Sequence, residues 1–510
     1  MNGRRAAALV VLGVWAAVLA AHVRREYFKP TAVRLAEGAR ALAPGTYFYV
    51  VRMNGRAIGF ASSRLDTVPG GFVFEDLLRL DVPALDTVQE AVARTRIELG
   101  RALELRSFDF ALASSLGRYS ARGARNDDGS LALEIGGGSE VQRSTLHLGE
   151  DALHAAALPL RLAAAGELEP GRTVNARVFD PSVLESRNVR VEVTASDTLI
   201  VPDSAVADEA TGRWHAVTYD TVPVWRVEES FAGVRTVSWL DGDGLIVRAE
   251  TPLGFTLERT AYELARDEWQ RARQDPTRAA GYGAIIESTA IASDVAPAAA
   301  GARDRLAVRL RDVDLAGFDL DGGRQSLRGD TLIVVRESLA ALEPGYRLPF
   351  RGRGVDAEHL AATPLIQADD PAIRRRAARI ARGTDDPLQV ARRLNDWVYE
   401  ELRKEIVPSV PSALQVLEAR RGDCNEHTVL FVALARALGL PARTAAGLVE
   451  IDGRFYYHAW PEVWLGQWVA VDPTLGQFPA DASHLRFIIG GLARQLELIR
   501  LIGRLRLEVV

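Results

Sequence analysis

The chain has 510 residues, a formal net charge of −5, 48% hydrophobic residues and 25% charged residues. This composition describes a globular protein long enough for two or three domains, and it excludes a disordered chain. The acidic balance argues against non-specific nucleic-acid binding, and the single cysteine excludes an intrachain disulfide or a multi-cysteine zinc site.

The chain opens with an apolar run over residues 6–21, flanked by arginine pairs at 4–5 and 24–25. The length of the run lies between that of a signal-peptide core and that of a full membrane span. Residues 18–20 form a passable cleavage site, so a cleaved signal peptide stays open as an alternative. Charges on both flanks favour an uncleaved signal anchor over residues 1–27. The sequence thus predicts a single-pass membrane protein with its bulk on the extracytoplasmic (periplasmic) side.

Residues 28–44 are assigned to a linker and residues 45–262 to an antiparallel β-rich domain of short strands and turns. Its first hairpin is predicted by β-rich arms around Asn54-Gly55, a type I′ turn signal. Repeated hairpins indicate one extended, curved sheet. The pattern loosely resembles half-barrel domains of bacterial envelope proteins, which implies an envelope protein partner; the plainer interpretation is a domain that positions the C-terminal part.

A polar connector is predicted over residues 263–283 and a small β-rich section over 284–365. In that section Leu306, Val308 and Leu310 alternate with polar neighbours, as expected of a half-buried strand.

The last segment, residues 366–510, turns helical at first. One helix is predicted to begin at Pro371, a favourable first-turn position, and to stop at Gly383. A second helix follows an aspartate cap, and a third ends at Gly422.

The stretch RRGDCNEHTVLFVALARALGLPAR, residues 420–443, holds the lone cysteine. Asp423 has N-cap chemistry and Glu426 has the spacing of a capping box, while Gly439 marks the helix end. Cys424 therefore lies in the first turn of an apolar helix, where unpaired N–H groups and the helix dipole favour negative charge. We expect its pKa to fall toward neutral, with help from an imidazolium because the capping carboxylate opposes the shift.

The stretch RFYYHAWPEVWLGQWVAVDPTLG, residues 454–476, supplies that imidazole. His458 lies midway along a predicted strand, and Asp472 ends a second strand after a turn near Gly466. Adjacent antiparallel strands would bring the two side chains within reach. Asp472 could then hold the His458 ring in the required tautomer and stabilise its protonated form.

These two stretches, with FPADASHLRF after them, resemble the core of the transglutaminase-like superfamily over residues 370–487, less than a quarter of the chain. The resemblance implies a papain-like core with Cys424 as nucleophile, His458 as general base and Asp472 as orienting carboxylate. The predicted fold class is therefore α+β, with this core at the C-terminus after a large antiparallel β domain and an N-terminal membrane helix. The histidine spacing fits no metal-ligand motif, so neither metal nor cofactor is expected.

Three other residues near the motifs and one backbone group have less certain roles. His427, one helical turn after the cysteine, is a rival base that we interpret as structural. The backbone N–H of Cys424 is the natural oxyanion donor, and the Trp397 indole is a candidate for the second. His484 could donate a hydrogen bond to a group that supports the site, but no role is assigned to it.

Three residues share the face of His458 on its strand, namely Trp460, Glu462 and Trp464. We expect some of them to line the cleft, with core packing as the alternative for the two tryptophans.

The predicted function is a cysteine-dependent enzyme that hydrolyses peptide or amide bonds of a peptide or protein substrate through a thioester. Two alternatives remain: transfer of the acyl group from protein glutamine to an amine, and a non-enzymatic envelope module that binds a partner.

Overall fold

The computed structural model of the chain describes residues 30–510 except for several short segments. The segments left out are 85–86, 115–116, 137–140, 149–152, 182–183, 232, 253, 275–289, 292, 296–302, 406–409 and 411.

The N-terminal half is built on one very large sheet of fifteen strands within the described residues. The strands are β1 (Gly45–Met53), β2 (Arg56–Val68), β3 (Gly71–Ala84), β4 (Thr87–Gly100), β5 (Leu105–Ser114), β6 (Gly117–Arg125), β7 (Leu131–Gly136), β8 (Val141–Leu146), β9 (Leu153–His154), β10 (Thr173–Asp180), β11 (Glu185–Ala207), β12 (Trp214–Phe231), β13 (Val234–Leu240), β14 (Ile246–Glu250) and β15 (Phe255–Thr260).

The strand order shows that two meanders share one sheet. The order runs from β8 down to β1, then from β15 down to β9, and β1 pairs antiparallel with β15 at the junction. The predicted first hairpin is confirmed, because β1 pairs with β2 and both turn residues have positive φ, 51° at Asn54 and 79° at Gly55. A type I′ turn requires that conformation.

Short helices cover apolar surface of this sheet. Helices α1 (Thr31–Gly38) and α2 (Leu158–Ala164) pack in one core with strand residues such as Ile97 and Phe108. Helix α3 (Tyr262–Gln274) packs elsewhere on the sheet, where Trp269 lies edge-on to Phe60 with ring centroids 5.1 Å apart.

A second, smaller sheet joins the middle of the chain to its end. It has the order β17-β18-β16-β25 and consists of β16 (Arg305–Arg311), β17 (Gln325–Arg328), β18 (Thr331–Val335) and the last strand β25 (Arg506–Val509). Leu306, Val308 and Leu310 are all buried, as the alternation predicts.

The part that carries the cysteine places helices against a third sheet of order β23-β22-β21-β24. Its elements are α4 (Pro371–Ile380), α5 (Pro387–Glu401), β19 (Arg403–Lys404), α6 (Ala413–Ala419), β20 (Arg421–Gly422), α7 (Cys424–Ala437), β21 (Ala442–Ile451), β22 (Arg454–Trp464), β23 (Trp468–Ala470), β24 (Leu485–Ile489) and α8 (Leu492–Gln495). Aspartate caps start the first two helices: Asp370 accepts from the N–H of Ala372, and Asp386 from that of Gln389.

The predicted α+β class is wrong for the chain as a whole. The structure is mostly β, with 47% strand and 22% helix. The reason is that the large sheet contains more residues than all the helices of the C-terminal part together.

The predicted N-terminal membrane helix is also corrected. Residues 1–27, to which the anchor was assigned, lie outside the described residues. Among the described residues no helix is long and apolar enough to cross a membrane, and the longest, α5, has 15 residues. A span needs about 20 apolar residues. The structure therefore does not support the predicted single-pass membrane anchoring and the location derived from it.

Candidate active site

Cys424 is the first residue of α7, and its backbone position is fixed by a capping box. Asp423 accepts from the N–H of Asn425 at 2.9 Å, and Glu426 accepts from the N–H of Asp423 at 2.9 Å. The capping box predicted from the sequence is confirmed. The thiol thus projects from a rigid helix start rather than from a loop.

The Cys424 sulfur lies against strand β22, close to the backbone N–H of Ala459. Burial raises the pKa of the Cys424 thiol well above its usual value; the Asp423 carboxylate adds to this, and the Ala459 N–H opposes it. The expected fall of this pKa toward neutral is wrong, because desolvation and nearby carboxylates outweigh the helix dipole. The thiol is therefore protonated at neutral pH until a base takes its proton.

His458 and Asp472 come together as the sequence predicts. The β22–β23 hairpin forms around Gly466, with Trp464 paired to Trp468. Asp472 follows β23, and its Oδ2 lies 2.8 Å from His458 Nε2. Because Asp472 occupies Nε2, the ring nitrogen left to exchange a proton with a nucleophile is Nδ1.

The Asp472 carboxylate is fully buried and held on both oxygens. Its Oδ1 accepts from the N–H of Thr474 at 2.7 Å and from that of Leu475 at 2.9 Å. Burial by itself would raise the pKa of Asp472, but the His458 and His484 contacts hold it well below its usual value. Asp472 therefore stays ionised over the whole range in which an enzyme would work.

His484 is a member of this cluster that sequence reasoning left without a role. Its Nε2 lies 2.9 Å from the same Asp472 Oδ2, and its Nδ1 lies 3.3 Å from Asp481 Oδ1. The side chain is fully buried. The sequence offered one signal for this role: Asp481 lies three residues before His484, and both follow Asp472 in the chain.

His458, Asp472 and His484 also have the composition of a metal site, since their ligand atoms lie within 4.8 Å of one another. A metal ion would need the lone pairs of both Nε2 atoms. Those nitrogens instead face one carboxylate oxygen at hydrogen-bond distance. Metal binding would therefore break the His458–Asp472 contact.

His427, the rival base, contacts the backbone of its own helix. Its Nδ1 lies 2.7 Å from the backbone oxygen of Asp423, at the start of its own helix. Burial lowers the pKa of the His427 imidazole, so the ring stays neutral. Trp397, the candidate oxyanion donor, is covered by the guanidinium groups of Arg376 and Arg420, which lie 5.2 Å and 4.8 Å from its ring.

Of the three residues on the His458 face of the strand, Trp460 and Glu462 are buried, as the core-packing alternative for Trp460 has it. Trp460 packs beside His458 with ring centroids 6.1 Å apart. Glu462 binds Arg443 at 2.6 Å and Arg486 at 3.0 Å.

Glu462→Gln should destabilise the protein by about 3–5 kcal/mol at pH 7, because it leaves the buried guanidinium of Arg486 and the partly buried one of Arg443 without their carboxylate. Burial would raise the pKa of Glu462, but Arg486 and Arg443 lower it. The ion pairs of Glu462 thus stabilise the fold at pH values above the pKa that Glu462 has in the unfolded chain. This stabilisation is lost as the pH falls through the lower pKa that Glu462 has in the folded protein. Denaturant unfolding at pH 7 and pH 4 measures both effects.

The matched control is Glu134→Gln in the exposed Glu134–Arg143 pair. Its change in unfolding free energy should be much smaller, because water screens an exposed pair. Equal losses in the two variants would show that Glu462 is not a buried ion-pair partner.

A groove of about 480 Å³ opens beside Asn425, the residue after the cysteine. Val429 and Arg436 of α7 form one wall, and Gln495 and Leu184 lie on the other sides. Tyr457, 39% exposed, donates its hydroxyl to Asn425 Oδ1 at 3.1 Å. The groove thus gives an extended ligand a path to the first turn of α7.

Comparison with known proteins gives one family match and distant structural similarities. Residues 374–473 match the family described as the transglutaminase-like superfamily. No match was found among curated proteins.

Two solved structures are similar at a distance. One, described as "a Putative Cysteine Protease from Cytophaga hutchinsonii", is 15% identical with a TM-score of 0.27 over 40% of this chain and 83% of that one. The other, a beta-barrel-like protein of a domain of unknown function from Brucella abortus, is 12% identical with a TM-score of 0.31 over 43% and 95%. These TM-scores are too low to support a conclusion about this chain.

The family match covers Cys424, His458 and Asp472 and ends just after the last of them. Residues 374–473 of this chain therefore form a transglutaminase-like domain, of a superfamily that typically comprises cysteine peptidases and acyltransferases.

Proposed function

We propose that this protein is a cysteine-dependent acyl-transfer enzyme with Cys424 as nucleophile, His458 as base and Asp472 as the carboxylate that orients the base. The observation that carries the proposal is the 2.8 Å His458–Asp472 contact, made by the residue next to Ala459, whose backbone N–H lies close to the Cys424 sulfur. A nucleophile, a base and an orienting group in sequence-distant elements are what this chemistry needs.

The first half-reaction starts from a protonated thiol, because the pKa of Cys424 is raised. His458 Nδ1 takes the Sγ proton as the sulfur bonds to the amide carbon. The first N–H groups of α7 have no acceptor within the helix, so the Cys424 N–H is proposed to stabilise the oxyanion. His458 then gives its proton to the leaving amine, the C–N bond breaks and a thioester remains.

The second half-reaction is proposed to be hydrolysis of a peptide or protein substrate. Tyr457 is partly exposed beside Asn425, so water has access close to the sulfur. Water gives a proton to His458 and its oxygen bonds to the thioester carbon. The C–S bond then breaks, His458 returns the proton to Sγ, and the carboxylic acid leaves. In the alternative reaction an amine takes the place of this water.

Acylation by p-nitrophenyl acetate tests the proposal. The full chain should release a burst of one p-nitrophenol per chain, and intact mass followed by peptide mapping should find acetyl on Cys424. Added glycine ethyl ester should leave acetate as the main product. No burst and no adduct would contradict the enzyme, whereas mainly acetylated amine would replace the hydrolase with a transferase.

A further inference from the structure

The hydrogen-bonded cluster at Asp472 extends past the three residues of the proposed mechanism. It runs from His458 through Asp472 to His484 and ends at Asp481. All four side chains are buried. The His458 and His484 rings approach each other edge to face, with centroids 5.7 Å apart.

The contacts determine where the protons lie. Asp472 Oδ2 is an ionised acceptor at 2.8 Å and 2.9 Å from two imidazole Nε2 atoms, so both nitrogens must donate. Asp481 Oδ1 accepts from the backbone N–H of Ser483 at 2.9 Å and from its hydroxyl at 2.5 Å. It therefore also acts as an acceptor toward His484 Nδ1. With a carboxylate oxygen at each ring nitrogen, His484 is an imidazolium.

The other charged groups around His484 leave this assignment in place. Arg324, on the neighbouring sheet, opposes a second cation, but its own charge faces Glu337 and the backbone oxygens of Ala480 and Asp481. Burial would lower the pKa of His484, yet the Asp472 and Asp481 contacts raise it above its usual value. Trp460 covers the ring edge-on at 5.2 Å and adds no charge.

We infer that His484 is a positioning residue for the proposed reaction: a fixed imidazolium that shares Asp472 Oδ2 with His458, orients that carboxylate and reduces its pull on the proton of the base. The inference rests on the proposed function. His484 is fully buried behind Asp472, so it acts through Asp472 and does not touch substrate. If the positive charge of His484 were removed, Asp472 would stabilise protonated His458 more strongly, and His458 would stay protonated to higher pH.

The first test compares pH profiles of His484→Gln and the unaltered chain with p-nitrophenyl acetate. Glutamine retains one N–H donor for Asp472 but removes the charge. The acid limb of kcat/KM should move to higher pH by about one unit, the size of a neighbouring-charge effect. At the optimum, kcat should fall while KM stays the same. An acid limb that stays in place would overturn the inference.

Trp460→Phe is the matched control, because it alters packing against the same two imidazoles without changing a charge. Its acid limb should coincide with that of the unaltered chain, even if the variant is less stable. If Trp460→Phe moves the limb as far as His484→Gln does, then packing rather than charge is responsible, and the inference fails.

A second measurement does not require His484→Gln to fold. Nitrogen-15 NMR of histidine side chains in full-length Cys424→Ala protein reports protonation of each ring nitrogen. His484 should keep protons on both Nδ1 and Nε2 at pH 7, where an ordinary imidazole is mostly neutral, and an unprotonated Nδ1 at that pH would overturn the inference. This readout needs no activity, so failure of the proposed function, seen as an unacylated Cys424, is distinguishable from failure of the role of His484.

Discussion

Replacing Cys424 with serine should lower kcat/KM by about 10⁴-fold or more. A hydroxyl is a far weaker acid than a thiol, and this site already raises the pKa of the group it holds. His458 would then be unable to remove the proton in a useful fraction of encounters. The measurement is the p-nitrophenol burst together with the acetyl adduct at position 424.

Thr428→Val is the matched control for this substitution. Thr428 lies one turn further along α7, is buried, and its hydroxyl has no hydrogen-bond partner among the described residues. Loss of an unpartnered hydroxyl leaves no acceptor unsatisfied, so folding and kcat/KM should be nearly unchanged. If Cys424→Ser retained the burst while remaining folded, the sulfur would not be the nucleophile.

Asp472→Asn should lower kcat by about 10⁴-fold with little change in KM. Asparagine has one acceptor oxygen, whereas Asp472 accepts from two imidazole nitrogens on one oxygen and two backbone N–H groups on the other. In either orientation of the amide, its NH₂ group must face donors. If the NH₂ group faces His458, the ring loses the contact that leaves Nδ1 for the proposed proton transfer, and if it faces Thr474 and Leu475, it opposes their backbone N–H groups.

The same substitution should reduce the free energy of unfolding by about 3–5 kcal/mol at pH 7, because buried imidazoles lose their counter-charge. The pKa of Asp472 is depressed in the folded state, so its contribution is present above the unfolded pKa and disappears as pH falls through the folded one. The kinetic and stability losses are measured separately, by steady-state kinetics below the unfolding temperature and by denaturant titration.

Asp76→Asn serves as the comparison, since it makes the same change in the large sheet. Burial raises the pKa of Asp76 to about 6, which means that the fold disfavours its negative charge, and an amide carries no such charge. This variant should keep its kcat/KM and should not lose stability at pH 7. A comparable loss of activity in Asp76→Asn would mean that carboxylate-to-amide changes act through the general fold.

The local features of the site were predictable because they depend on neighbours in the chain. The Asp423–Glu426 capping box lies within one helical turn, and Asn54-Gly55 sets its hairpin through backbone conformation. The His458–Asp472 contact requires only two strands joined by a short turn. Each of these follows from spacing, propensity and turn chemistry.

The class of the whole fold was mispredicted for a different reason. Each hairpin of the large sheet could be recognised individually, but the pairing of β1 with β15 that merges two meanders spans more than 200 residues. No local pattern indicates that pairing. The share of the chain that belongs to one sheet is therefore a property of the tertiary structure and not of any single hairpin.

The amino-acid order specifies the chemical groups of the proposed site, the helix start that presents Cys424 and the hairpin that joins His458 to Asp472. Burial then set the direction of the thiol pKa, and contacts from the following loop gave Asp472 a second imidazole. Desolvation and shared hydrogen bonds depend on which groups, far apart in the sequence, pack around the site and exclude water from it. The spacing of neighbouring residues in the sequence does not specify those groups.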